Sequence, residues 1–227
     1  MSLEDDPRIP RGMRPSGRKA PHYFSKDAPR SSRKYVIRLS IRGEMLDFAS
    51  EGGIFSKDRI DLGTQILINS LELPESGTVL DMGCGYGAIG ISIAKMSPSL
   101  KVTMVDVNPL AVRLARENAL RNGVDAEVLR SDLYSALEGR SFDMIVSNPP
   151  LAAGYAVVFP MIEGALSHLN YGGSMQIVLR RGINTIPKKM SEVFGNSECI
   201  SKKSGYRVFR SLKPDPRKAG CPGDSER

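Results

Sequence analysis

The chain holds only three cysteines and two histidines among its 227 residues. Cys84, Cys199 and Cys221 are odd in number and widely scattered, with no C-x-x-C pair and only His22 and His168 to assist them. That pattern argues against a disulfide framework and against a zinc site, and it suits a reducing cytoplasm. No apolar run approaches the roughly eighteen residues that a membrane helix requires. The first thirty residues are charged and proline-rich without an apolar core segment, which speaks against secretion. What is present is 41% hydrophobic content, enough for one domain of ordinary size with extra segments.

Charge is unevenly placed. Residues 1–34 carry nine basic and four acidic side chains, or +5 of the formal +7. Such a basic arm can neutralise phosphates and release counterions; a solvated, unstructured tail accounts for the same composition. The last fifteen residues, from Lys213 with Pro214, Pro216 and Pro222, read as disordered.

Between these ends, "VIRLSIRGEMLDF" alternates Ile37, Leu39 and Ile41, turns at Gly43 and returns through Leu46 and Phe48, predicting a β-hairpin with one apolar face. A helix starting near Asp58 or Asp61 and ended by Pro74 completes an extension over 35–74. From there strand and helix patterns alternate to about residue 194, and "SECISKKSGYRVFRSL" supplies two closing strands that turn at "KSG". Alternation of this kind predicts an α/β domain over 75–212, a parallel sheet with helices on both faces and ligands gathered at the carboxyl ends of its strands.

The first such end is "DMGCGYGAIG". Gly85-Tyr86-Gly87-Ala88-Ile89-Gly90 satisfies the dinucleotide fingerprint, and Asp106 stands where a ribose-binding acid belongs, so an NAD oxidoreductase is one reading. Asp81 at the strand end and Cys84 between glycines favour another. An acid there suits a ligand bearing an ammonium group better than a pyrophosphate. Asp106, ending "MVDVNP", is read as free to accept two ribose hydroxyls, because Asn108 before Pro109 already caps the next helix. Asp132 in "RSDLY" ends a third strand and suits either an adenine amino group or a turn. In "NPLAVRLARENALRNG", Ala111, Leu114, Ala115 and Asn118 face the sheet, and the arginines form a solvated face with an Arg113–Glu117 pair.

The fourth strand runs into Asn148-Pro149-Pro150. Two prolines offer carbonyls without N–H donors, and the residue before a proline is held extended, so the turn is a rigid bracket of acceptors. Asn148 Oδ1 and a proline carbonyl can take both hydrogens of one planar amino group, holding its conjugated nitrogen toward a methyl donor without a strong base. With two histidines in the chain, His168 falls within a helix and reads as structural.

"GGIFSKDRIDLGTQILI", "VLDMGCGYGAIGISIA", "VDVNPLAVRLARENALRNG", "SDLYSAL", "FDMIVSNPPLAAG" and "FGNSECISKKSGYRVFR", in this order, resemble the methyltransferase small domain family over about residues 50–212. That family includes the bacterial small-subunit ribosomal RNA guanine-N2 methyltransferases and single-domain archaeal relatives. The resemblance implies a Rossmann-like, seven-stranded, mostly parallel sheet with an antiparallel last strand, and S-adenosylmethionine as methyl donor. It implies cofactor contacts from Phe55, Gly63, Thr64, Asp81, Gly83, Cys84, Gly85, Asp106, Asp132, Leu133 and Asn148. Catalysis would fall to Asn148, Pro149 and Pro150, and substrate contact to Phe55, Leu151, Arg180, Tyr206 and Arg207. Base-modifying members often carry an aromatic after the prolines. Here Leu151 stands in its place, leaving Phe55 or Tyr155 to stack on the base.

The implied acceptor is an exocyclic amine, guanine N2 of small-subunit ribosomal RNA first, with adenine N6 or a protein glutamine as alternatives and a non-catalytic binding module behind them. The partners expected are RNA or the small ribosomal subunit, without membrane or metal.

Overall fold

The structure is a computed structural model that describes residues 34–41, 43–51, 60–150 and 154–217. The basic arm before Lys34, Phe55, Leu151 and the end of the tail from residue 218 lie outside the described residues.

The expected hairpin is present as β1 (Lys34–Ile41) and β2 (Glu44–Glu51), with Ile37 paired to Phe48 and Leu39 to Leu46. Those four side chains form its buried face. Helix α1 (Leu62–Ser70) is capped by Asp61, whose side chain accepts from the Thr64 N–H at 3.2 Å. It ends at Leu71 in an extended conformation, before Pro74 is reached.

Then follow β3 (Gly77–Met82), α2 (Ala88–Met96), β4 (Leu100–Asp106), α3 (Pro109–Arg121), β5 (Ala126–Arg130), β6 (Phe142–Ser147), α4 (Tyr155–Ser167), β7 (Leu169–Leu179), α5 (Thr185–Phe194), β8 (Glu198–Lys203) and β9 (Tyr206–Leu212). The seven strands from β3 onward form one sheet in the order β5-β4-β3-β6-β7-β9-β8. The first five run parallel, while β9 lies antiparallel to both β7 and β8.

Alternating residues of the sheet bury into two layers. Val79, Met104, Met144, Val146, Val178 and Val208 meet α1, α2, α3 and the hairpin, whereas Leu80, Val105, Ile145, Ile177, Leu179 and Phe209 meet α4 and α5. This period-two division explains why the central strands read as unbroken apolar runs: both faces are covered.

Three expectations need correction. Strand β7 begins at Leu169, before the run "GGSMQIVLR" that the sequence pattern predicts as this strand, because Leu169 pairs with Phe142 before a register shift re-joins the ladder at Ser174 and Met144. Lys213 is tied into the fold rather than starting an unstructured tail: its N–H bonds the Gly173 carbonyl and its Nζ the Leu169 carbonyl. The α3 arginines are not simply solvated. Arg113 reaches Glu51 of β2 at 2.8 Å, and Arg116 donates twice to the Val128 carbonyl. No helix among the described residues is long and apolar enough to cross a membrane.

Candidate active site

The chain runs β3, β4, β5 toward one edge, then returns to place β6 against the other side of β3. A doubly wound sheet opens a crevice at such a reversal, outside the carboxyl ends of the two central strands. Here those ends are Asp81–Gly87 after β3 and Asn148-Pro149-Pro150 after β6.

Asp81 is fully buried. Its Oδ2 accepts from the Gly90 N–H at 2.8 Å, while Oδ1 has no hydrogen-bond partner among the described residues. Burial pushes its pKa up to about 7, against the Gly90 hydrogen bond, with repulsion from Asp106 adding to the rise. A buried carboxyl oxygen without a donor is costly unless a ligand supplies one, and a cationic amino group would do so.

The loop between Asp81 and α2 turns through Gly83, Gly85 and Gly87, all with left-handed backbone. Gly90 serves a different need: a Cβ there would lie 2.5 Å from Met104 and 3.1 Å from the Asp81 carboxylate, so only glycine lets α2 seat against the strands. Cys84 is buried beside this loop, and burial raises its thiol pKa well above the usual value, keeping it un-ionised.

Asp106 is not free as its sequence context suggests. Its Oδ2 accepts from the Gly85 N–H at 2.9 Å and its Oδ1 from the Asn108 N–H at 2.8 Å, so it fastens the glycine loop to the β4 end. Each oxygen retains a lone pair for a hydroxyl. Burial raises its pKa against these hydrogen bonds. Asn108 caps α3 as expected, accepting from the Leu110 N–H. Past β5, Asp132 is exposed and Leu133 takes a left-handed backbone at φ 48°, held by the Ser131 hydroxyl on its carbonyl at 2.6 Å. A left-handed leucine costs about 1–2 kcal/mol, strain of the kind that gathers at ligand sites.

At the bracket, the Asn148 Nδ2 donates to Thr64 Oγ1 at 2.9 Å and to Asp61 Oδ2 at 3.2 Å. A carboxylate only accepts, so this end of the amide must be the NH₂ and the opposite end an acceptor with both lone pairs available. Pro149 is buried behind it. Asp61 was not foreseen as a site residue. It caps α1 and orients Asn148 with the same oxygen, and the Asp-x-x-Thr cap in "DLGT" is the signal that points to it.

Gly63 is the contact point with the far strands. A Cβ there would sit 2.7 Å from the Tyr206 ring and 2.8 Å from Asp61 Oδ2. Arg180 in turn lies over Tyr206, 5.5 Å from the ring centroid. The structure thus brings Gly63, Thr64, Asn148, Tyr206 and Arg180 together. Arg207 projects from the other face of β9, the side on which Phe209 enters the α4–α5 core. Tyr155, at the start of α4, stacks on Phe159 and remains 45% exposed. His168 stacks on Tyr134 at the far end of α4, away from the crevice.

An acid at the end of β3, a glycine-rich turn into α2, an acid at the end of β4 and an antiparallel β9 together define a class I S-adenosylmethionine-dependent methyltransferase. Residues 45–210 match the methyltransferase small domain, and the chain belongs to that family.

It is 36% identical over 197 residues to protein YbxB of Bacillus subtilis, spanning 85% of this chain and 98% of that one. It is 37% identical over 172 residues to ribosomal RNA small subunit methyltransferase C of Escherichia coli (strain K12 / DH10B), 74% of this chain but 50% of the relative. The chain therefore covers about half the length of those enzymes. Among solved structures, the T. thermophilus 16S rRNA N2 G1207 methyltransferase in complex with AdoMet and guanosine superposes with a TM-score of 0.74 at 28% identity, over 82% of this chain and 52% of that one. A Pyrococcus furiosus methyltransferase shares the fold, at TM-score 0.59 and 24% identity over 66% of this chain and 81% of that one.

Proposed function

We propose that this protein methylates the exocyclic N2 of a guanine in small-subunit ribosomal RNA. The observation that carries the reading is the orientation of Asn148: both amide hydrogens are engaged by Asp61 and Thr64, so its oxygen alone faces outward beside two prolines. The methyltransferase C relatives and the guanosine-bound structural neighbour support guanine as the acceptor.

When bound, S-adenosylmethionine supplies an electrophilic methyl on a sulfonium centre. Its ammonium group matches the unpartnered oxygen of Asp81, its ribose hydroxyls the Asp106 carboxylate, and its adenine the Asp132–Leu133 turn. At the acceptor, Asn148 Oδ1 and the Pro149 carbonyl hold the two hydrogens of the amine and aim its nitrogen. Such positioning can remove roughly 7–11 kcal/mol from a barrier. As that nitrogen becomes positive, the Asp61 carboxylate behind the Asn148 amide strengthens the oxygen as an acceptor, and the surplus proton leaves to solvent. No side-chain base is needed.

Transfer of labelled methyl to unmodified small ribosomal subunits and free ribosomal RNA, followed by nucleoside analysis, tests this. The expected product is N2-methylguanosine, reduced at least a hundredfold by Asn148→Ala. Label in N6-methyladenosine, or in protein and resistant to ribonuclease, would replace guanine by another acceptor.

A further inference from the structure

The carboxyl edge of the sheet is divided by charge. Over β3, β4 and β5 it carries Asp81, Asp106 and Asp132, and the one cation there among the described residues, Arg130, has its Nε turned onto the Val107 carbonyl. Over β7, β9 and β8 the same edge carries Arg180 and Arg181 after β7, Lys202 and Lys203 at the end of β8, and Arg207 in β9. Residues 180–191 and 199–212 contain no aspartate or glutamate. All but the half-buried Arg207 are exposed, and none of the five makes an ion pair among the described residues.

The opposite end of the antiparallel β8–β9 hairpin behaves differently. There Arg210 is neutralised by both Glu198 and Glu72. Cations are thus matched where the hairpin meets α1 and left unmatched where it borders the crevice. Two aromatics interleave with them, the half-buried Tyr206 and the exposed Tyr155. Tyr206 lies beneath Arg180, and Tyr155 stands beside the loop at Gly182, its hydroxyl 3.5 Å from where a Cβ there would sit.

We propose that this edge, formed by Arg180–Arg181 and the turn between β8 and β9, is the track for the phosphate backbone of a single-stranded RNA segment carrying the target nucleotide. The inference rests on RNA being the acceptor. Its chemistry is that of single-strand grooves, where cations follow the backbone and aromatic faces receive bases without regard to sequence. The exposed Asp132 repels the same strand from the other half of the edge, so the polyanion is favoured on the acceptor side of the crevice over the donor side. Lysines at an open strand edge also discourage edge-to-edge pairing of copies, a role that needs no RNA.

The test compares Lys202→Gln/Lys203→Gln with Lys95→Gln/Lys101→Gln, lysines in the last turn of α2 and at the start of β4, on the amino side of the sheet. Binding of a mixed-sequence single-stranded RNA of about 20 nucleotides is measured from low to high salt, where each lost single-strand phosphate contact reduces the slope of log K by about 0.7. The expected result is a slope shallower by about 1.4 for the 202/203 pair, with KM for ribosomal RNA raised about tenfold, unchanged S-adenosylmethionine affinity, and neither effect in the 95/101 pair. An unchanged slope in the 202/203 pair, or the same loss in both pairs, overturns the proposal. So does increased self-association of the 202/203 pair with RNA affinity intact, which would leave edge protection as the lysines' role. If wild type binds RNA with the expected slopes but labels no guanine, the track stands and the acceptor assignment falls; if it labels guanine with equal KM in all variants, the reverse holds.

Discussion

Two carboxylates of the crevice do opposite electrostatic work, and each makes a prediction at the level of a single side chain. Asp81 is held un-ionised by burial until about pH 7, so, on the proposed placement of the donor, an arriving ammonium displaces its proton. S-adenosylmethionine affinity should rise by up to about tenfold per pH unit below 7 and level off above it. Calorimetry near pH 6 should show proton release as a dependence of the enthalpy on the buffer, abolished by Asp81→Asn. The free protein responds in the contrary sense. Its folded state binds this proton more tightly than the unfolded chain does, so Asp81's contribution to stability is full below the ordinary carboxylate range and lost as pH rises through about 7. Asp61 works through Asn148. Asp61→Asn keeps a good helix cap and an acceptor for the Asn148 amide but removes the charge. The difference between charged and neutral hydrogen bonds, about 1 kcal/mol, predicts a fall in kcat of roughly five- to tenfold with S-adenosylmethionine affinity unchanged. Asp61→Ala, which also removes the cap, should cost more and lower the melting temperature.

Among the elements, the hairpin is joined to the rest of the fold through two side-chain amides of α3 and its C-cap. Asn118 of α3 accepts from the Ala49 N–H at 2.7 Å and donates to the carbonyls of Ala49 and Tyr86, while Asn122 repeats the pairing with Asp47 one turn on. Side chains of α3 thereby satisfy the free edge of β2 as a neighbouring strand would, and the same residue holds the glycine loop. Asn118→Ala leaves two buried carbonyls and an N–H unpaired, a loss of about 2–4 kcal/mol, or about 5–10 °C in melting temperature by calorimetry. Helical spacing shows that Asn118 faces inward, but not that its partner is a hairpin 69 residues earlier. The same limit applies to Asp61, 87 residues from Asn148, and to Arg113, whose i,i+4 partner Glu117 lies at 4.0 Å while Glu51 of β2 is at 2.8 Å. What the residues disclose locally is the alternation of strands and helices, the Asn108 cap and the Asn-Pro-Pro turn, because periodicity, capping and proline stereochemistry are short-range. Pairings across the sheet are set by tertiary packing and leave no local trace.

For the whole molecule, the class of cofactor has a bulk signature. S-adenosylmethionine at about a hundred times its Kd should stabilise the protein by about 2.7 kcal/mol, a rise of roughly 5–10 °C, while NADH at the same concentration should leave the transition where it was. The second outcome separates the two meanings of the glycine loop more directly than its sequence does. The long reach of the hydrogen bonds that join β6 to β3 and to the cap of α1 has a consequence in time. Thr78 of β3 is bonded to Asp143 of β6, 65 residues later, at the amino ends of the two strands, and Asn148 at the carboxyl end of β6 is bonded to Asp61, so the Asn-Pro-Pro bracket is set in place by contacts distant along the chain. Helices α2 and α3 can form from local contacts, but the two walls of the crevice meet only when β6 inserts beside β3, a step that must first meet the entropy of closing a long loop. Helical signal should therefore return early during refolding, and methyl transfer late, with the insertion of that one strand.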